Sequence, residues 1–145
     1  MNGLTVNSPD IPKGIYKSTC GGCYASDKNL TCKECMDLNG DLHKASLDTT
    51  KCKYVKNNNG KLVCDNTDML PDNEMNVPLG TYLFYCGGCR VIDRDRILLC
   101  EKCKNTNENS ITKNVMMNLE HTKCLKVSFK SNNFVCDSIK IPVDP

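Results

Sequence analysis

The chain has 145 residues, of which 39% are hydrophobic and 12 are cysteines, and its formal net charge is +2 at pH 7. Lysines and acidic residues are interspersed, so the sequence has no basic face for nucleic-acid binding, and no apolar run approaches the roughly 18 residues needed to span a membrane. The cysteine density is typical of small disulfide-stabilised domains, which predicts an oxidising compartment and a secreted or periplasmic protein.

The cysteines fall into two blocks of six with nearly the same internal spacing. Corresponding cysteines lie 66 residues apart in the first pair of each block, 68 in the second pair and 72 in the third. We therefore predict a tandem duplication, with one repeat over residues 13–65, an acidic linker with two prolines over 66–78, and a second repeat over 79–137. The two blocks are Cys20, Cys23, Cys32, Cys35, Cys52 and Cys64, and Cys86, Cys89, Cys100, Cys103, Cys124 and Cys136.

Short strands separated by turns are predicted along both repeats. Residues 14–19 and 30–33, and their counterparts 81–85 and 97–101, have the aromatic, β-branched or apolar character of strands. Asn39-Gly40 and Asn59-Gly60 are the strongest turn signals, because both residue types tolerate positive φ. Residues 46–52 and 118–124 are predicted as single helical turns, with Ser46 or Asp48 as a local cap. The predicted fold class is mainly β with short helical turns.

The cysteine positions predict disulfides within a hairpin. Cys20 and Cys35 are directly opposed in an antiparallel hairpin whose register also opposes Cys23 and Cys32. Residues three apart on a regular strand face opposite sides, so this pairing requires a local twist or bulge near Gly21-Gly22. The full predicted set is Cys20–Cys35, Cys23–Cys32, Cys52–Cys64, Cys86–Cys103, Cys89–Cys100 and Cys124–Cys136.

A zinc site is the alternative interpretation of the same residues. Two Cys-x-x-Cys motifs in each block could supply the four thiolates of a tetrahedral Zn²⁺ site. This alternative leaves the last two cysteines of each block without a role, and the gap between the motifs is shorter than in common zinc ribbons. The disulfide interpretation uses all twelve cysteines and requires neither a metal nor a cofactor.

The sequence does not predict an enzyme. Its two histidines, His43 and His121, do not occupy equivalent positions of the repeats, and no set of nucleophile, base and orienting group can be assembled around them. No glycine-rich loop suited to holding a phosphate is present either. We therefore expect a binding protein.

The order of motifs resembles the cyanovirin-N homology family. The resemblance is carried by residues 14–20, then Leu30-Thr31-Cys32, Asn39-Gly40, Ser46-Leu47-Asp48 and Asn59-Gly60-Lys61-Leu62. It implies two repeats intertwined into one pseudo-symmetric domain, in which each half is completed by strands from the other, as a monomer or a domain-swapped dimer. It also implies non-catalytic binding of mannose-rich oligosaccharides or glycoproteins. One disulfide per repeat of the family matches Cys20–Cys35 and Cys86–Cys103.

The resemblance also implies two sugar sites. Each combines the first strand of one repeat, the segment after its second matched cysteine, and the Asn-Gly-type turn of the other repeat. Two sites on one chain would allow crosslinking. The first site would comprise Ser18, Thr19, the segment from Met36 to Asn39, Ser131 and Asn132. The second would comprise Phe84, Tyr85, Thr106, Asn107, Glu108, Lys56, Asn57 and Asn59.

Some of these positions depart from the family pattern. Met36 and Leu38 stand where the family tends to have polar groups, and Phe84 and Tyr85 replace small polar residues, although an aromatic face can pack against the C–H surface of a sugar. The alternatives to a mannose-binding lectin are therefore a zinc-stabilised interaction module and a cyanovirin-like structural protein that binds a non-mannose partner.

Overall fold

The computed structural model describes residues 5–66, 70–105 and 110–139, and it is mainly β. The strands are β1 (Cys20–Ser26), β2 (Asn29–Met36), β3 (Leu42–Asp48), β4 (Val55–Asn58), β5 (Lys61–Cys64), β6 (Cys86–Gly87), β7 (Arg90–Ile92), β8 (Ile97–Asn105), β9 (Ser110–Asn118), β10 (Cys124–Lys130) and β11 (Asn133–Ile139). Two 3-10 helices (Ile15–Ser18 and Thr81–Phe84) and one short α-helix, α1 (Leu119–Thr122), complete the described elements. No described helix is long and apolar enough to cross a membrane.

The pairs between the described strands are antiparallel, and an isolated parallel bridge joins Leu79 to Lys126 of β10. In the first block β1, β2 and β3 form a three-stranded sheet, and β4 and β5 form a separate hairpin. In the second block β8 pairs with β6 and β7 on one side and with β9 on the other, and β10 and β11 form the hairpin. The predicted strands over 30–33 and 97–101 are therefore confirmed within β2 and β8.

The predicted strands over 14–19 and 81–85 are 3-10 helices instead. Each follows a glycine with φ near 150°, Gly14 or Gly80, a conformation that side-chain-bearing residues avoid. The helical turn directs Tyr16 and Tyr82 into the core, where both are fully buried. Their hydroxyls donate to the carbonyl oxygens of Pro12 and Pro78, both at 2.6 Å. Aromatic content at these positions therefore reflects burial and not strand pairing.

The two predicted helical turns differ in outcome. Residues 118–124 contain α1, whose first turn is capped by Asn118 through its side-chain oxygen. In the first block Ser46 is still in β3 and its hydroxyl lies 3.3 Å from that of Thr31. A tight turn follows, where the Asp48 carboxylate accepts hydrogen bonds from the Thr50 backbone N–H at 3.0 Å and from its hydroxyl at 2.6 Å. Cross-strand pairing with β2 therefore overrides local helix formation before Asp48.

The six predicted disulfides are all present. The Cα atoms of the four pairs between hairpin strands lie 3.9 to 4.1 Å apart, as expected for directly opposed residues. The expected local twist occurs at Gly22 and Gly88, whose φ angles of 64° and 67° turn both cysteines of each motif to one side. Sulfurs joined in these bonds cannot act as the thiolates that the zinc alternative requires.

Part of the predicted linker repeats the structure that precedes β1. Asn7 accepts from the Cys23 N–H through its side-chain oxygen at 3.0 Å, and Asn73, 66 residues later, accepts from the Cys89 N–H at 2.9 Å. The backbone hydrogen bond from the Gly22 N–H to the Thr5 carbonyl likewise corresponds to the one from the Gly88 N–H to the Pro71 carbonyl. Residues 71–74 of the predicted linker over 66–78 thus contact the second block as the residues before β1 contact the first.

Each block has its own hydrophobic core. One main cluster consists of residues between Ile11 and Leu62, and the other of residues between Val77 and Val127. The hairpins dock on their own blocks through backbone bonds from Val55 N–H to the Lys13 carbonyl and from Val127 N–H to the Leu79 carbonyl, both at 3.0 Å. Among the described residues these pairings differ from the strand exchange that the family resemblance implies. A Cβ on Gly80 would overlap the Val127 carbonyl oxygen, so glycine is what permits this close docking.

The two blocks meet through their 3-10 helices, which pack against each other. Lys17 and Asp72 form an ion pair at 3.1 Å across the junction. Asn73 of the second block also donates to the Ser18 hydroxyl at 3.0 Å. The junction therefore places side chains of both blocks next to one another.

Candidate functional site

A cleft of about 330 Å³ opens at the junction of the two blocks. One wall is the loop that follows β2, and the other is the entry to the second 3-10 helix together with the start of β10. The lining residues are Thr19, Met36, Asp37, Leu38, Asn39 and Gly40 from the first block, and Leu79, Gly80, Thr81, Leu83, Phe84 and Lys126 from the second. Thr19 and Asn39 of the predicted first site therefore lie in one cleft, together with Phe84, which was predicted for the second site.

The loop over residues 37–41 is held in one shape by the Asp37 carboxylate. One carboxylate oxygen accepts from the N–H groups of Asn39 and Asp41, both at 2.9 Å, and the other lies 2.7 Å from the ring nitrogen Nε2 of His43. Gly40 closes the turn with φ of 88°. The bond with His43, followed by the backbone N–H bonds, lowers the pKa of Asp37 below its ordinary value. The loop is therefore ordered by an ionised carboxylate at neutral pH.

The β4–β5 turn of the same block supports the loop from behind. The Asn57 amide nitrogen donates to Thr19 Oγ1 at 2.8 Å and to the Met36 carbonyl at 2.9 Å, while its oxygen accepts from the Gly60 N–H at 2.8 Å. Because Asn57 is buried and its hydrogen-bonding groups are occupied, it positions the site and does not contact a ligand. Asn59 adds a bond from the Leu38 N–H to its side-chain oxygen at 2.8 Å.

Among the described residues, the structure does not bring the turn of one repeat to the loop of the other, as the predicted sites require. The sequence interpretation assigned Ser131 and Asn132 to the first site, but Asn132 accepts a hydrogen bond from Thr112 Oγ1 of its own block at 3.1 Å. Asn57 and Asn59, assigned to the second site, lie behind the first. The cause is the docking of each hairpin on its own block, which keeps each turn beside the loop of the same repeat.

Other predicted residues lie elsewhere. Ser18 is buried and lines a different groove of about 260 Å³ beside Lys17, Asp72 and Asn73. The carbonyl of Tyr85 accepts from the Lys104 N–H at 2.9 Å, and the Tyr85 side chain lines a small crevice with Lys56. Phe84 keeps only 5% of its accessible area, so its ring offers little free face. Thr106, Asn107 and Glu108 lie outside the described residues.

Two exposed residues that line the cleft have polar side chains with no hydrogen-bond or ion-pair partner in the described part of the chain. These are the amide of Asn39 and the ammonium of Lys126. Thr81 also contributes a hydroxyl, which donates to Ser128 Oγ at 3.0 Å and can still accept. Leu38, 44% exposed, adds an apolar surface beside them. The cleft therefore combines free donors and acceptors with apolar walls.

Leu79, Thr81, Leu83 and Lys126 were missed as site residues by the sequence interpretation. They come from the second block and reach the cleft only through the packing of the two 3-10 helices, so no local motif signals them. Asp37 lies within the predicted segment from Met36 to Asn39, and an aspartate two residues before Asn39-Gly40 is a common turn-capping pattern.

No protein-family model matches this sequence, and no curated protein matches it either.

Proposed function

We propose that this protein is a non-catalytic lectin that binds mannose-rich glycans, through α-linked mannose termini, in the cleft at the junction. The observation that carries the proposal is the pair of free polar groups, Asn39 and Lys126, on opposite walls of a cleft that also has apolar surface. The family resemblance of the sequence supports the sugar class. The proposed partners are mannose-rich oligosaccharides or glycoproteins.

The chemistry of the cleft suits a neutral sugar. Vicinal sugar hydroxyls each donate and accept hydrogen bonds. The Asn39 amide does both, the Thr81 hydroxyl can accept, and the Lys126 ammonium can donate to sugar oxygens. Leu38 and Leu79 can cover the C–H face of a pyranose ring. Because the loop is already ordered by Asp37, binding loses little backbone entropy.

The disulfides are consistent with a setting outside the reducing cytosol. Six bonds account for all twelve cysteines, and bonds of this kind persist in oxidising compartments. We accordingly propose that the protein acts as a secreted or periplasmic lectin, where glycans are accessible.

An NMR titration of the oxidised protein with a short α-linked mannose oligosaccharide tests the proposal. Amide shifts are expected in residues 36–40 and 79–81. Replacing Asn39 by alanine should weaken binding about tenfold, since one hydrogen bond contributes roughly 1 to 1.5 kcal/mol. Asn58→Ala is the matched control, because Asn58 is an exposed asparagine of β4 that does not line the cleft.

Three outcomes separate the possibilities. Shifts confined to the cleft and lost in Asn39→Ala support the lectin. Shifts elsewhere, or equal binding by both alanine variants, reject this cleft as the site. An unchanged spectrum at millimolar mannose, with shifts produced by a different glycan, would reject the mannose assignment and favour a non-mannose partner.

A further inference from the structure

The junction contains a second set of residues equivalent to those of the cleft. By the sequence offsets of the two blocks, Thr19 corresponds to Tyr85, Met36 to Lys104, Thr81 to Ile15, and Lys126 to Tyr54. These four counterparts also lie together, around the small crevice that Phe84 and Leu70 help to line. The duplicated sequence has therefore placed two equivalent sites at the junction.

The two sites differ greatly in free volume. The cleft beside Asn39 has about 330 Å³, whereas the equivalent crevice has about 10 Å³, which is far less than a sugar ring needs and about the space of one water molecule. One lysine and two threonines line the open cleft. At the equivalent positions the closed crevice has two tyrosines and an isoleucine. Side-chain size is thus the main difference between equivalent positions.

The residues that fill the crevice form a packed apolar cluster. Ile15, Tyr54 and Leu70 keep only 3%, 2% and 6% of their accessible areas. The Tyr54 hydroxyl accepts a hydrogen bond from the Ile15 N–H at 3.0 Å, so the ring is fixed in place. By contrast Lys126, the counterpart of Tyr54, is exposed. Each buried aromatic ring removes on the order of 150 to 250 Å² from water, which opposes opening of the crevice.

We propose that this chain has a single glycan site, because Tyr54 and Tyr85, together with Ile15 and Leu70, close the site equivalent to the cleft. This inference rests on the proposed function and specifies its valency. It replaces the expectation of two sites and crosslinking with one-to-one binding. Tyr54 and Tyr85 then determine valency without touching the sugar.

Binding stoichiometry and a blocking variant test the inference. Calorimetry with the mannose oligosaccharide should give one site per chain, with NMR shifts at Thr81 and not at Ile15 or Lys104. Lys126→Tyr copies Tyr54 into the open cleft and should reduce affinity at least tenfold. Lys130→Tyr is the matched control, since Lys130 is an exposed lysine of the same strand that does not line the cleft.

The outcomes distinguish this inference from the proposed function. Two sites per chain, or binding by Lys126→Tyr that shifts Tyr85 and Lys104, would overturn the single site and leave the lectin standing. Absence of binding to any glycan would reject the lectin. In that case the accessibility of the crevice is measured without sugar, by NMR with a soluble paramagnetic relaxation agent. The agent should broaden the side-chain signals of Thr81 and Lys126 strongly and the ring signals of Tyr54 weakly. Equal broadening would overturn the inference.

Discussion

The side-chain amide of Asn57 donates to Thr19 Oγ1 at 2.8 Å and so joins the β4–β5 hairpin to the floor of the cleft. In the second block Phe129 occupies the equivalent position and packs edge-on against Phe134, with ring centroids 6.2 Å apart. One block therefore holds its hairpin turn with buried hydrogen bonds and the other with aromatic contacts. In the first block the hydrogen bonds of Asn57 hold the end of β2, at Met36, in the position from which the loop of the cleft begins.

Replacing Asn57 by alanine should destabilise the protein by about 2 to 3 kcal/mol. The substitution leaves the buried Gly60 N–H and the part-buried Met36 carbonyl without this partner, and buried unsatisfied groups cost roughly 1 to 3 kcal/mol each. Urea unfolding of the oxidised protein measures the change. Asn58→Ala, in the exposed neighbour, should lie within about 0.5 kcal/mol of the wild type. Equal stability of the two variants would contradict the role assigned to Asn57.

Replacing Gly80 by alanine should destabilise the protein by about 3 kcal/mol or more, because the new Cβ would overlap backbone atoms of Val127 that cannot rotate away. Gly40→Ala is the comparison. It also has positive φ but no atom within 4 Å of the new Cβ, so only the conformational cost of about 1 to 2 kcal/mol applies. Thermal unfolding followed by near-ultraviolet circular dichroism ranks the two, and a smaller loss for Gly80→Ala would refute the close docking of the hairpin.

The six disulfides should open in two groups under limiting reductant. The first four cysteines of each block keep at most 1% of their accessible area, whereas Cys64 is exposed and Cys52, Cys124 and Cys136 are half-buried. An attacking thiolate must reach a sulfur atom, so Cys52–Cys64 and Cys124–Cys136 should be reduced at least about tenfold faster. Timed alkylation and peptide mass mapping show the order. Opening of a buried bond such as Cys23–Cys32 at the same rate as the other two bonds would count against the buried arrangement.

The stability of the loop over 37–41 should fall in acid. Hydrogen bonding with His43 lowers the folded-state pKa of Asp37 below the unfolded value of about 3.9. The carboxylate therefore stabilises the folded state fully above that unfolded value, and the contribution is lost as the pH falls through the folded pKa. Titration of carboxyl carbon shifts by NMR should show a low Asp37 midpoint that moves upward in His43→Ala.

Asp48 is the internal control for that titration. Its pKa is also lowered, but by hydrogen bonds from Thr50, so its midpoint should not change when His43 is replaced. A shift of both midpoints would indicate a global change in the variant and not the loss of one bond.

Much of the covalent and local structure could be predicted from the sequence. Four of the six disulfide pairs follow from cysteine positions because an antiparallel register relates opposed residues by a constant sum of their numbers, and Cys20–Cys35 and Cys23–Cys32 share that sum. The requirement for a twist beside Gly21-Gly22 follows from the two-residue period of a strand. The Asn59-Gly60 turn follows from the left-handed conformation that both residues adopt.

The tertiary structure alone decided the arrangement of the site. Strand-like residues around Tyr16 form a 3-10 helix because a hairpin nearly 40 residues later docks against Gly14 and closes the core over the ring. The same docking keeps Asn57 beside Thr19 of its own block, and packing between the blocks brings Lys126 to Asn39. Turn and register signals act between near neighbours, whereas the choice of which surfaces pack together depends on the shape and burial of side chains far apart in the chain.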